Sequence, residues 1–250
     1  MTPALQLGRI ALGPLLLWQG ARVRTAALRL PEAAGDRAGA VGEGEPLRLL
    51  IVGDSAAAGV GIATQERALA GRLSREIAER AGRRVLWALA ARTGATSHDA
   101  RTLLESLAPH PVDVAVVAVG VNDVTDQIDR TTWGRRLNAL HATIRLRFGA
   151  RDVVYSGLPP VHRFPLLPQP LRWYLGTHAR HLDSALEQWA AGRDDARYVP
   201  LPAMGDDMIA EDGFHPGEGA VQGWAGVLAE TVTTIAAMRV EAGNLTRSKE

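Results

Sequence analysis

The chain has 250 residues, of which 46% are hydrophobic and 22% charged, and its formal net charge at pH 7 is +1. This composition is typical of a soluble globular protein with a sizeable core, and the balanced charge gives no indication of a nucleic-acid partner. The sequence contains no cysteine, which excludes disulfide bonds, thiolate metal sites and a cysteine nucleophile. The expected location is the cytoplasm, since the lack of cysteine fits a reducing compartment.

Residues 1–31 differ from the rest of the chain because they contain four arginines and no acidic residue. The apolar run Ile10–Trp18 is far shorter than the ~20 residues that span a bilayer, and it lacks the features of a cleaved signal peptide. Two interpretations stay open. The favoured one is a helix packed on the domain or on a partner; the other is a basic amphipathic anchor in peripheral contact with a membrane.

The chain is expected to divide into three parts. Residues 1–45 form an N-terminal segment and linker, residues 46–240 the main domain, and residues 241–250 a polar tail. The linker is residues 33–45, which are rich in Ala, Gly, Glu and Asp and have no apolar periodicity, so that they indicate an exposed loop.

Short apolar runs alternate with helical patterns from Leu47 onward. The predicted strands are Leu47–Val52, Val85–Leu89, Val112–Val119, Asp152–Ser156 and Arg197–Val199. The third run is apolar almost throughout, which is typical of a parallel strand covered on both faces.

The helical patterns fill the intervals between these strands, with capping residues at their starts and glycine or proline at their ends. They run from Thr64 to Gly82, from Ser97 to before Pro109, from Thr131 or Thr132 to Gly149, from Leu171 to Ala191, and from Glu218 to Met238. Alternation of this kind predicts a parallel sheet with right-handed crossovers, and hence a three-layer α/β/α sandwich.

Residues that can carry chemistry follow the ends of the predicted strands, where ligands bind in sheets of this kind. They are Gly53-Asp54-Ser55 after the first strand, Gly94 after the second, Asn122 and Asp123 after the third, and Asp212 and His215 before the last helix. The pattern therefore predicts one site at one rim of the sheet.

The predicted chemistry is acyl transfer to a serine. The hydroxyl of Ser55 needs a base to take its proton; His215 is the candidate base, and Asp212 the candidate partner of its other ring nitrogen. The oxyanion that forms needs hydrogen-bond donors. The backbone N–H groups of Ser55 and Gly94 and the side-chain amide of Asn122 are the candidates.

Each of these residues, taken singly, also has a structural explanation. Asp212 and His215 could be a helix cap and a surface histidine, Gly94 a turn residue, and Asn122 a turn former. Asp54 and Asp123 are expected to be structural hydrogen-bonding groups rather than catalytic acids. The other histidines show no spacing typical of a metal site, so no metal is predicted: they are His98, His110, His141, His162, His178 and His181.

The order of these motifs resembles the four sequence blocks of the SGNH, or GDSL-type, hydrolases. The blocks are Gly53-Asp54-Ser55, Gly94, Gly120-x-Asn122-Asp123 and Asp212-x-x-His215. The resemblance covers residues 47 to about 238 and departs at Ala56, where the family often has leucine. It implies a flavodoxin-like sandwich of about five parallel strands and a serine esterase that uses no metal or cofactor.

The same resemblance implies roles for the residues at matching positions. Ser55 is similar to the family's nucleophile and first oxyanion donor, Gly94 and Asn122 to the other donors, His215 to the base and Asp212 to its partner. A small-molecule ester is the implied substrate. An acyltransferase or a thioesterase with the same triad, and an inert binding module, stay open as alternatives.

The segment Gly157–Pro170 follows the fourth predicted strand at the same rim and contains five prolines, which restrict its backbone. It is called the proline-rich segment below. Phe164, Leu166, Leu167 and Trp173 are the predicted substrate-binding residues of an acyl pocket or lid. The alternative is that they only cover the edge of the sheet. An apolar wall favours acyl or aryl esters over esters of polysaccharides.

Overall fold

The structure is a computed structural model that describes residues 3–203, 205 and 208–247. Within these residues six strands form one sheet. They are β1 (Ala38–Val41), β2 (Pro46–Gly53), β3 (Arg84–Ala91), β4 (Val114–Ala118), β5 (Asp152–Ser156) and β6 (Ala196–Val199). The helices are α1 (Pro3–Ala26), α2 (Ser55–Ala58), α3 (Leu69–Ala81), α4 (Ser97–Ser106), α5 (Val121–Thr125), α6 (Arg130–Phe148), α7 (Leu171–Ala191) and α8 (Glu218–Arg247).

The sheet has the strand order β1-β3-β2-β4-β5-β6, and β2 to β6 are parallel. The prediction of a parallel sheet of about five strands is therefore confirmed. The linker prediction for residues 33–45 is wrong in part, because β1 adds a sixth, antiparallel strand beside β3. This strand is exposed along most of its length, so it lacks the apolar alternation by which a strand is recognised in a sequence.

Helices cover both faces of the sheet and complete the predicted three layers. On one face, Leu104 of α4, Leu140 of α6 and Leu182 of α7 belong to one buried cluster. On the other face, Leu73 of α3 and Leu228 of α8 belong to a second cluster. The inner strands are consequently buried on both sides, as the apolar run of β4 indicates.

Several helix ends differ from the predicted ones because other residues form the caps. Helix α4 is capped by Thr96, which forms a reciprocal capping box with Asp99, rather than by Ser97. Asp129 caps α6 instead of a threonine. Helix α3 begins at Leu69, five residues after Thr64, and α8 continues to Arg247, well beyond Met238.

Helix α1 packs on the domain, as in the favoured interpretation of residues 1–31. Its Leu16 is buried in the cluster that contains α7. The side chain of Gln19 donates to the carbonyl oxygen of Gln169 at 2.7 Å and accepts from the backbone N–H of Leu171 at 3.1 Å. Among the described residues, no helix is both long enough and apolar enough to cross a membrane.

Candidate active site

Ser55 lies where β2 ends at the carboxyl rim of the sheet. The strand finishes at Gly53, and Asp54 caps the short helix α2, of which Ser55 is the first residue. A Cβ atom on Gly53 would lie 2.2 Å from the Cβ of Ala57. The turn therefore requires glycine at this position. The close approach of Gly53 to Ala57 determines the position of Ser55.

The structure brings Ser55, His215 and Asp212 into one hydrogen-bonded chain. His215 Nε2 lies 2.9 Å from Ser55 Oγ, and His215 Nδ1 lies 2.5 Å from Asp212 Oδ2. An ionised Asp212 can only accept, so Nδ1 carries the proton and Nε2 is free to accept the serine proton. This is the arrangement of a catalytic serine, its base and the group that orients the base.

The carboxylate of Asp212 is held by the turn that also carries His215. Its Oδ1 accepts from the backbone N–H groups of Phe214 and His215, both at 3.0 Å. Burial tends to raise the pKa of this carboxyl, but the hydrogen bonds from His215 and Phe214 outweigh burial and hold the pKa below its usual value. Asp212 is therefore ionised at neutral pH, as an orienting group must be.

The two remaining oxyanion candidates lie on neighbouring loops of the same rim. Gly94 follows β3 with a φ of +78°, in the left-handed region, and Asn122 is in the first turn of α5. Asn122 Nδ2 donates to the carbonyl oxygen of Ala95 at 3.0 Å, which ties the two loops together. The same nitrogen carries a second N–H, and we keep the prediction that this group binds the oxyanion.

A mostly apolar pocket opens beside the triad and encloses about 680 Å³, its mouth included. Its wall combines the ends of β4 and β5 with residues of the turns and helices that follow. Its apolar side chains include Val121, Phe164, Leu201, Phe214 and Trp224. A mostly apolar wall with a few polar groups is typical of small-molecule sites.

Of the four predicted substrate-binding residues, the structure places only Phe164 among those that line this pocket. Leu167 is buried in the core. Leu166 uses its backbone N–H to donate to the carbonyl oxygen of Gly213 at 3.2 Å, and Trp173 is partly exposed beside Gly8 of α1. The prediction for these three is corrected, because Leu166 bonds the turn of the triad, Trp173 lies against α1 and Leu167 packs in the core.

Comparison with known proteins identifies the family. The model of the GDSL-like Lipase/Acylhydrolase family matches residues 51–221, which contain every residue of the triad. The chain belongs to this family.

Similar proteins include a curated GDSL-like esterase from Mycobacterium tuberculosis, which is 31% identical over 182 residues. The match covers 68% of this chain but only 56% of that relative's length. Among solved structures, the psychrotrophic esterase EstA from Pseudoalteromonas sp. is 18% identical with a TM-score of 0.56, over 76% of this chain and 98% of that one. A lipase/acylhydrolase from Enterococcus faecalis is 19% identical with a TM-score of 0.53, over 75% and 96%. The two structures share the fold.

In this GDSL-like protein the two acidic residues next to the site are structural hydrogen-bonding groups, as predicted. Asp54 accepts from the backbone N–H of Ala56 at 3.1 Å. Asp123 is fully buried and accepts from both the backbone N–H and the hydroxyl of Ser97, at 2.7 and 2.8 Å, and from Arg136 at 2.7 Å. It thereby joins α4, α5 and α6 directly beside Asn122.

Replacing Asn122 with alanine is expected to lower kcat for p-nitrophenyl esters by about 10²–10³-fold, because one oxyanion donor is lost. KM should change little, since the donor acts mainly on the developing charge. The matched control is Asn138→Ala, which removes an amide on α6 that bonds Trp189 and Arg193 instead. Steady-state kinetics check both, and wild-type kcat in the Asn122 variant would contradict the assignment.

The buried carboxyl of Asp54 should make the unfolding free energy depend on pH. Burial, reinforced by the nearby charge of Asp123, raises its pKa to about 7. The folded state then binds a proton that the unfolded state has released, so stability falls as pH rises between the two pKa values. Between about pH 5 and pH 7.5 this one group should cost about 2 kcal/mol of unfolding free energy.

The variant Asp54→Asn keeps an oxygen that accepts from Ala56 but cannot ionise. We expect its unfolding free energy, measured with urea at both pH values, to fall less than that of the wild type as pH rises. Asp126→Asn, on an exposed side chain, is the control. An equal pH dependence in the wild type and Asp54→Asn would show that the burial of Asp54 does not control the effect.

Apart from Phe164, the residues of the apolar pocket wall were not predicted from the sequence. Ser156 ends β5 and Leu201 follows β6, so the same rim position that identifies Ser55 would have identified them. Trp224 points inward from α8 and donates to Ser156 Oγ at 2.9 Å. No motif identifies Trp224, because its position along α8 fits the same helical periodicity as the core residues of that helix.

The described residues contain no group of three or more His, Cys, Asp or Glu side chains that could hold a metal ion.

Proposed function

We propose that the protein is a serine-dependent carboxylic ester hydrolase that acts on acyl or aryl esters through an acyl-enzyme intermediate. The observation that supports this most directly is the chain of hydrogen bonds from Asp212 through His215 to Ser55. Membership of a family of lipases and acylhydrolases supports it independently.

In the first half of the proposed reaction, Ser55 Oγ attacks the ester carbonyl carbon as its proton passes to His215 Nε2. The carbonyl oxygen becomes an oxyanion, which the N–H groups of Ser55, Gly94 and Asn122 stabilise. The C–O bond to the alcohol then breaks, and His215 donates its proton to the departing oxygen. The acyl group stays on Ser55.

In the second half, water takes the place of the alcohol. His215 Nε2 removes a proton from the water as its oxygen attacks the acyl carbon. The bond from carbon to Ser55 Oγ breaks, and the proton returns to the serine. Asp212 remains ionised throughout and stabilises the imidazolium form of His215.

The wall of the pocket supports the proposed substrate class. Phe164 and Phe214 meet edge to face with ring centroids 4.8 Å apart, and Leu201 and Val121 extend the apolar lining. Such a wall suits the hydrocarbon part of an acyl or aryl group. The related protein from Mycobacterium tuberculosis is named an esterase, in agreement with this class. Peripheral contact of residues 1–31 with a membrane stays a prediction.

The proposal is tested with p-nitrophenyl acetate and butyrate and with a fluorophosphonate probe. Phosphonate reagents suit this fold, since the Pseudoalteromonas esterase was solved inhibited by monoethylphosphonate. We expect ester hydrolysis and a single probe adduct on the peptide that contains Ser55. Adding an alcohol acceptor separates hydrolysis from acyl transfer: transfer that dominates at low acceptor concentration, or an unlabelled Ser55, would contradict the proposal.

A further inference from the structure

The outer face of α1 is apolar and exposed. Ile10, Pro14, Leu17 and Ala21 follow the i, i+4, i+7, i+11 spacing of one helix stripe, and all four are exposed. Ile10 is 80% exposed, Leu17 68%, and the neighbouring Trp18 56%. At 1.5 Å per residue the stripe is about 16 Å long, which makes it a continuous surface rather than a scattered set of side chains.

This exposure is concentrated on α1. Of the eight large hydrophobic residues that are exposed in the described part of the chain, four lie on this one helix: Ile10, Leu15, Leu17 and Trp18. The opposite face of α1 is already occupied, since Leu16 is in the core and Gln19 bonds Gln169 and Leu171. A helix that is apolar on both faces is normally covered on both, but no described residue covers the outer face of α1.

The charges around the stripe indicate which partner fits. Arg22 lies over the Trp18 ring, 5.4 Å from its centroid, and Arg24 is in the last turn of the helix. Arg29 follows, all three are exposed, and residues 1–31 contain no acid. Tryptophan and arginine beside an apolar stripe are typical of helices that lie in the surface of a membrane with anionic lipids.

We propose that the outer face of α1 docks on an anionic lipid surface, with Ile10, Leu17 and Trp18 among the acyl chains and the arginines at the lipid phosphates. A second copy of the chain fits this face less well. Pairing two copies would bring their arginines together with no acid from either segment to neutralise them.

Docking in this way would orient the active site. Gln19 ties α1 to the end of the proline-rich segment, whose Phe164 is part of the pocket wall. The lipid-facing helix is thus fixed to the element that borders the pocket. The docking itself does not require that the protein hydrolyse esters, so the two proposals are tested separately.

The test is co-sedimentation of the full chain with vesicles of phosphatidylcholine alone and of phosphatidylcholine mixed with phosphatidylglycerol. We expect binding to the mixed vesicles and little binding to phosphatidylcholine. The double variant Leu17→Glu/Trp18→Glu should bind about a hundredfold more weakly, because two large apolar side chains no longer enter the lipid. Arg22→Gln/Arg24→Gln should bind about thirtyfold more weakly, since each arginine contributes to the attraction of an anionic surface.

The matched control is Leu146→Glu, which changes an apolar residue on α6 that is even more exposed, at 85%. It should bind vesicles like the wild type. Near-UV circular dichroism shows that each variant is folded. Failure of the wild type to bind mixed vesicles, equal loss in Leu146→Glu, or a dimer in light scattering that the Leu17→Glu/Trp18→Glu variant abolishes would overturn the proposal.

Discussion

Replacing Ser55 with alanine is expected to lower kcat for p-nitrophenyl butyrate by about 10⁴–10⁶-fold. The variant retains His215, Asp212 and the pocket but has no oxygen that can form the acyl-enzyme. The residual rate should come only from a water molecule activated by His215 and from the oxyanion donors. Steady-state kinetics measure the loss, and electrospray mass spectrometry shows whether an acyl adduct forms.

Ser106→Ala is the control for this change, because it removes an exposed serine at the end of α4. Its kcat should equal that of the wild type. A Ser55→Ala variant that kept a tenth or more of wild-type turnover would mean that another nucleophile carries the reaction.

Replacing Asp212 with asparagine is the change with the next largest expected effect, a loss of about 10⁴-fold in kcat. The amide oxygen can still accept from the backbone N–H groups of Phe214 and His215. Its NH₂ group would then face His215 Nδ1 as a donor and would favour the tautomer that carries the proton on Nε2. That tautomer cannot take the proton of Ser55. The loss should be smaller at high pH, where hydroxide competes as a base.

Glu211→Gln is the matched control, since Glu211 precedes Asp212 and its side chain is exposed. Both variants should unfold at similar urea concentrations, which separates a lost function from a lost fold. Equal kcat in Asp212→Asn and Glu211→Gln would remove Asp212 from the mechanism.

The positions of the triad could be predicted because strand ends determine them. An apolar run ending at Gly53 places Ser55 at the carboxyl rim, and the spacing of Asp212 and His215 places both on one turn. The contact between that turn and Ser55 joins residues 160 positions apart. The position of Asp212 and His215 before the last helix indicated that contact, and the order of the family's motifs supported it.

The bonds of Ser97 and the pocket wall depend on tertiary contacts, which local patterns do not record. Ser97 has the chemistry of a helix cap, but its hydroxyl and backbone N–H donate to Asp123, and Thr96, one residue earlier, forms the capping box with Asp99. Phe164 and Leu167 are equally apolar in sequence. Both are buried in the same core cluster, and of the two only Phe164 also lines the pocket.

Strand β1 has a consequence for how copies of this protein meet in concentrated solution. An outer strand with free N–H and C=O groups can recruit the same strand of a neighbour, which leads to aggregation. Without β1, the eight-residue β3 would be the outer strand on that side; with it, the edge is only four residues long and contains Gly39. The far edge, β6, is equally short and carries the exposed Arg197. Both edges of the sheet are thus too short to pair extensively with a neighbouring molecule. Removing β1 should therefore increase aggregation even where the triad keeps its geometry.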